Sequence, residues 1–129
     1  MLAIDTNVIV RFLTGDDPRQ ARRARALIDT EAVFVATTVM LETEWVLRSA
    51  YGFTGAQVSQ ALIAFAGLPG VTLQEPERLA RALDWAARGL DFADALHLAA
   101  AAAAGGFRTF DRRLARRAAD LGVADVSVL

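Results

Sequence analysis

Four carboxylates in this chain sit where solvation alone does not explain them: Asp5, Glu42, Asp94 and Asp111. Asp5 lies in Ile4-Asp5-Thr6-Asn7-Val8-Ile9-Val10, an acid within a strongly apolar stretch. It can serve as an N-cap for a helix starting near Asn7. It can also be the acid of an acid–x–polar pair at a strand end, a place where hydrolases put metal ligands, with Asn7 orienting a water or a carboxylate. Glu42 and Glu44 separate on a helical wheel at about 100° per residue. Glu44 falls beside Arg48, its i+4 partner, and reads as a solvated ion pair. Glu42 falls between Trp45 and Val46, where an acid is expected to be hydrogen-bonded in the core, neutral or bound to a cation. Asp91-Phe92-Ala93-Asp94 opens an alanine-rich helix. Asp91 fits the N-cap, and Asp94 stands in the dipole-favoured first turn but beside His97 and Leu98. Asp111, in Thr109-Phe110-Asp111, ends a strand-like run as Asp5 does, and can equally cap the helix that follows.

The chemistry open to such a set is narrow. Two like charges about 5 Å apart repel by roughly 3 kcal/mol at an effective dielectric of about 20, so four gathered acids need a compensating cation. Carboxylate oxygens suit the hard ions Mg²⁺ and Mn²⁺ rather than zinc. An ion of that kind works on phosphate esters, activating water, shielding phosphate charge and stabilising the leaving oxygen. Other catalytic apparatus is missing from the composition. There is no cysteine, hence no disulfide, thiolate zinc site or thiol nucleophile. All 14 basic residues are arginine, which removes the lysine of a phosphate-binding P-loop, Schiff-base chemistry and any catalytic ammonium. Ser49, Ser59 and Ser127 lack the G-x-S-x-G setting of a serine nucleophile, and His97 is the lone histidine on an Ala/Leu helix.

Charge alone argues weakly against nucleic acid, with a net value of −1. Setting the four candidate acids aside from the 15 present leaves 14 arginines against 11 acids, a mildly basic balance. Five arginines fall between Arg11 and Arg25 and five between Arg108 and Arg117. Their planar forks suit phosphate, although a solvated helix face explains any one of them equally well.

These acids must be carried by regular elements. Strand-like runs occur at Leu2–Ile4, Val33–Ala36, Val71–Leu73, Phe107–Phe110 and Val126–Leu129. Between them, helical spacing predicts helices from Asp17-Pro18 to about Ile28, from Thr37-Thr38 to about Tyr51, and from Thr54 to Ala66. Three more are expected over Pro76–Arg88, Asp91–Ala104 and Asp111–Leu121. Alternation of this kind implies one α/β domain over residues 1–129, in three α/β/α layers around a mostly parallel sheet of four to five strands. Ligands in such folds bind beyond the carboxyl ends of the strands, where Asp5 and Asp111 would lie. The longest apolar run, Leu98 to Ala104, is far short of the roughly 20 residues of a membrane-spanning helix, and a cytoplasmic protein is expected.

Taken in order, Asp5-Thr6-Asn7, Glu42-x-x-Trp45-Val46-Leu47, Asp91-Phe92-Ala93-Asp94-Ala95-Leu96 and Thr109-Phe110-Asp111 resemble the pattern of PIN-domain ribonucleases, and among them the VapC toxins of bacterial toxin–antitoxin pairs. The resemblance runs from Met1 to about Arg117 and is weakest between Phe53 and Arg88. It implies that Asp5, Glu42 and Asp94 are the core acidic triad and Asp111 a fourth, more variable acid, all catalytic and all metal ligands. Asn7 and Thr109 would support them. It further implies Mg²⁺- or Mn²⁺-dependent endonucleolytic cleavage of single-stranded or looped RNA, a homodimer, and neutralisation by a VapB-like antitoxin. A haloacid-dehalogenase-like phosphatase is a poorer fit, because it needs a second acid where this chain has Asn7, and usually a lysine. A response-regulator receiver fails for the same lack of lysine. A non-catalytic binding domain whose acids are all helix caps is the remaining alternative.

Overall fold

A computed structural model describes all 129 residues. It divides into two compact units, Met1–Pro76 and Glu77–Leu129. In the first, the elements run β1 (Leu2–Ala3), α1 (Thr6–Thr14), α2 (Pro18–Thr30), β2 (Val33–Val35), α3 (Thr37–Ser49), α4 (Gly55–Ala66) and β3 (Val71–Leu73). In the second they run α5 (Pro76–Ala87, entering from Pro76), α6 (Phe92–Ala100), a 3₁₀ turn (Ala101–Ala103), β4 (Phe107–Thr109), α7 (Arg112–Asp120) and β5 (Val126–Val128). The class is mixed α/β with parallel strands, as expected.

The first unit holds a three-stranded parallel sheet in the order β1-β2-β3. Leu2 stands opposite Val33, and Val33, Phe34 and Val35 stand opposite Val71, Thr72 and Leu73. β4 and β5 form a separate parallel pair in the second unit, with Phe107 opposite Val126 and Thr109 opposite Val128. All five expected strands therefore form, each parallel to its partner, but they hydrogen-bond as groups of three and two rather than as one sheet of four to five. They are also short. β1 ends after two residues because the chain must turn at Asp5 to enter α1.

Burial follows the helical period. In the first unit Ile9, Val10, Met40, Leu47, Leu62 and Phe65 are essentially inaccessible, together with Val33 and Val35 of the central strand. Phe12 meets Phe65 edge to face at 5.7 Å between ring centroids, and the Arg25 guanidinium lies 4.9 Å over the other ring, that of Phe12. In the second unit Leu79, Leu83, Phe92, Leu98, Leu114 and Ala118 are among the buried residues.

The helix ends explain where the acids can stand. α1 stops at Gly15, whose φ of +65° is the left-handed geometry in which glycine closes a helix without strain. Asp17 caps α2 by accepting from the Gln20 amide, with Pro18 at the first helical position. Thr54 and Gln57 form a reciprocal capping box on α4. Two expectations are corrected. Thr37 and Thr38 do not cap α3: Ala36 occupies the cap position, and the Thr37 amide instead donates to the Gln74 side chain at 3.0 Å, a partner supplied by the segment after β3. The alanine helix ends at Ala100 rather than Ala104, tightening into the 3₁₀ turn before Gly105-Gly106 breaks the pattern.

Candidate functional site

Asp5 and Asp111 occupy equivalent stations in the two units. Each stands two residues beyond the end of a parallel strand and caps the helix that follows. Asp5 Oδ1 accepts from the Val8 amide at 3.2 Å, and Asp111 Oδ1 accepts from the Leu114 amide at 3.0 Å. A capping aspartate uses one oxygen on the helix and leaves the other directed outward. The cap reading and the ligand reading are thus compatible, since both carboxylates remain exposed.

Glu42 is placed differently from the helical-wheel expectation. It is exposed on α3, whereas Glu44 is the buried acid, 7% accessible, held by Arg48 Nε at 2.5 Å. The inversion has a simple cause. Trp45 is 59% exposed and does not belong to the apolar face, which is formed by Met40, Thr43, Glu44 and Leu47. A wheel that takes Trp45 and Val46 as the apolar side therefore turns the helix the wrong way. Glu42 keeps its candidacy on other grounds: it accepts a hydrogen bond from the Thr6 hydroxyl. Thr6 is buried, opens α1 and follows Asp5 directly, so the segment carrying Asp5 is tied to Glu42 across 36 residues of chain. Sequence reasoning did not single out Thr6. A β-branched hydroxyl residue between an acid and Asn7 at a helix start was the available signal.

In the second unit, Asp91 caps α6 by accepting from the Asp94 amide at 3.1 Å, as its spacing indicated. Asp94 is half-buried, and its carboxyl is pushed above the usual range, chiefly by burial and then by the like charges of Asp91 and Asp111, with His97 acting the other way. Asp94 and Asp111 are thus brought within electrostatic reach of one another. Thr109, at the end of β4, accepts from the Asp111 amide at 3.0 Å and so fixes the bend on which that acid stands. Asn7 is exposed and makes no hydrogen bond to an acid; it lines a groove of about 370 Å³ with Arg11, Gln20, Arg23 and Leu27.

Ion pairs engage some of the other acids. Asp16 pairs with Arg11, Glu44 with Arg48, Asp84 with Arg88 and Asp125 with Arg108. No arginine pairs with Asp5, Glu42, Asp94 or Asp111, although the chain has 14. Neither unit by itself gathers three or more acidic or histidine side chains into a ready metal cluster. The donors available are all carboxylate oxygens, and the one most disfavoured as an anion, Asp94, is the one a bound cation would relieve most. That donor set fits a hard divalent ion.

Comparison with known proteins gives one family: the model described as PIN domain matches residues 2–120. No curated protein and no solved structure matches the chain. No helix is long and apolar enough to cross a membrane.

Proposed function

This chain belongs to the PIN domain family, whose members are generally metal-dependent nucleases, and from that premise we propose that it is a Mg²⁺- or Mn²⁺-dependent endoribonuclease. The observation that carries the reading is that, within the matched residues, Asp5 and Asp111 stand just beyond the ends of parallel strands, Glu42 is fixed by the Thr6 hydroxyl next to Asp5, and Asp94 is half-buried within electrostatic reach of Asp111, none of the four being neutralised by an arginine. Under this proposal the four acids together hold the divalent ion. When bound, such an ion supplies charge neutralisation at the phosphate, a more acidic water and stabilisation of the leaving oxygen. The chain's own part is to hold donors in place. The Asp5 and Asp111 carboxylates are oriented by the amides they cap, Glu42 by the Thr6 hydroxyl, and Thr109 fixes the turn beneath Asp111. Asn7 would act as a polar support beside Asp5.

The resemblance to VapC toxins extends the proposal to the toxin of a toxin–antitoxin pair, acting as a homodimer and neutralised by a VapB-like antitoxin. An adjacent reading frame encoding a small DNA-binding protein would support it. Expression of the wild-type chain should arrest growth, and Asp94→Asn should restore it; growth arrest that persists in the variant would contradict the toxin reading. A non-catalytic domain with capping acids only predicts no metal-dependent cleavage of any RNA. The haloacid-dehalogenase alternative predicts phosphate release from small phosphomonoesters. A panel of tRNA and rRNA fragments, with phosphomonoesters as controls, separates the three.

A further inference from the structure

The chain has ten aromatic residues, seven Phe, two Trp and one Tyr, and eight of them are at least half-buried. The exceptions are Phe110, 81% exposed, and Trp45, 59% exposed. Each stands next to a candidate acid: Phe110 immediately precedes Asp111, and Trp45 follows Glu42 by three residues on α3, hence on the same side of that helix. Phe110 is not left outside by a slack loop. The Asp111 amide donates to the Thr109 hydroxyl, and the Leu114 amide donates to Asp111, so the backbone is pinned on both sides of the ring.

The helix that follows adds mostly positive charge, four arginines against the single acid Asp120 at its last position. Of the five arginines from Arg108 to Arg117, two serve the fold: Arg108 pairs with Asp125, and Arg117 donates to the Gly89 carbonyl at 2.7 Å. Arg112, Arg113 and Arg116 are exposed and have no acidic partner. At helical spacing they span an arc of about 100° on α7. A fixed, solvated ring beside unopposed guanidinium groups matches what unpaired nucleic acid offers: a base face for stacking and flanking phosphates for the cations.

We propose that Phe110 is a stacking platform for an unpaired base of the nucleic acid, with Arg112, Arg113 and Arg116 holding the adjacent phosphates. The proposal rests on the nucleic-acid reading given above and adds to it a specific binding residue. It places a base against the residue preceding Asp111, and so sets where the strand lies relative to that acid.

The test is binding of a labelled single-stranded RNA by the full-length chain carrying Asp5→Asn in Mg²⁺, followed by fluorescence anisotropy. Phe110→Ala is expected to weaken binding about 5- to 150-fold, the range for loss of one stacked base. Phe110→Trp should restore it, and an abasic oligomer of the same length should bind both proteins alike. Arg112→Ala with Arg113→Ala should lower the slope of log affinity against log salt by about 1.4, that is, about 0.7 for each phosphate contact. Unchanged melting temperatures would show that the exposed substitutions leave the fold intact. Equal single-strand affinity for wild-type and Phe110→Ala chains would overturn the proposal. So would a Phe110→Ala chain that binds RNA normally but changes from dimer to monomer, since the ring would then be a protein contact. The two readings fail separately: binding through Phe110 without cleavage by the wild-type chain would contradict the nuclease, whereas cleavage with a KM unaffected by Phe110→Ala would contradict the platform alone.

Discussion

Thr6 and Asp94 carry the finest detail of the proposed site. The Thr6 hydroxyl is buried and donates to Glu42, so it fixes one oxygen of an otherwise solvated side chain. Thr6→Val keeps the shape and removes the donor. It is expected to reduce metal affinity or activity about 10- to 100-fold, the usual effect of losing a residue that orients a ligand, while Thr6→Ser largely retains both. Calorimetric titration with Mn²⁺ checks it. Asp94 makes a pH prediction with a definite sign. Its carboxyl is raised by burial and by Asp91 and Asp111, so it takes up a proton at higher pH than an ordinary aspartate. Metal binding needs the anion and should therefore weaken on acidification from above the usual carboxylate range, and Asp111→Asn, which removes one like charge, should lower that midpoint. In the metal-free chain the same shift means that stability falls as pH rises through the ordinary aspartate value to the raised one. Asp94→Asn should accordingly melt higher than wild type near neutral pH in EDTA, with the difference vanishing in acid. A wild-type chain more stable than the variant at neutral pH would contradict the placement of Asp94.

Caps are where fold and chemistry coincide at the scale of elements. Asp5 and Asp111 each close a strand-to-helix junction, so truncation and neutralisation should act differently. Asp111→Ala loses the cap, worth about 0.5–2 kcal/mol, and should lower Tm by several degrees, whereas Asp111→Asn keeps a capping oxygen and most of the stability. Both should lose metal-dependent activity, and thermal melts beside cleavage assays would separate the two effects. The elements were legible in the sequence because their signals are local. Pro18 after Asp17, Thr54 at the start of α4 and the short strand-like runs were enough to place helices and strands to within a few residues. What was not legible depended on distant partners. The Gln74 side chain that replaces a threonine cap on α3, and the exposure of Trp45 that reversed the positions of Glu42 and Glu44, are set by tertiary packing. The Thr6–Glu42 bond joins residues 36 apart, and no spacing rule announces it.

At the scale of the whole molecule, near-neutral net charge conceals where the individual charges stand. Asp16, Glu44, Asp84 and Asp125 pair with arginines at short range; the four candidate acids are among those that do not, and Arg112, Arg113 and Arg116 likewise have no ion-pair partner. A chain built in this way leaves unpaired anions for a cation and unpaired cations for phosphate. Removal of divalent metal should abolish activity without unfolding the protein, since the cores are apolar and contain no metal ligand. The measurement that tests the central claim most directly is cleavage of a single-stranded RNA panel by the purified chain, with Mg²⁺ or Mn²⁺, with EDTA, and with Asp5→Asn. Cleavage by the wild-type chain with metal, reduced at least about 100-fold both by EDTA and by a folded Asp5→Asn chain, is the expected result. Undiminished cleavage in EDTA or in Asp5→Asn, or no cleavage under any metal condition, would contradict it.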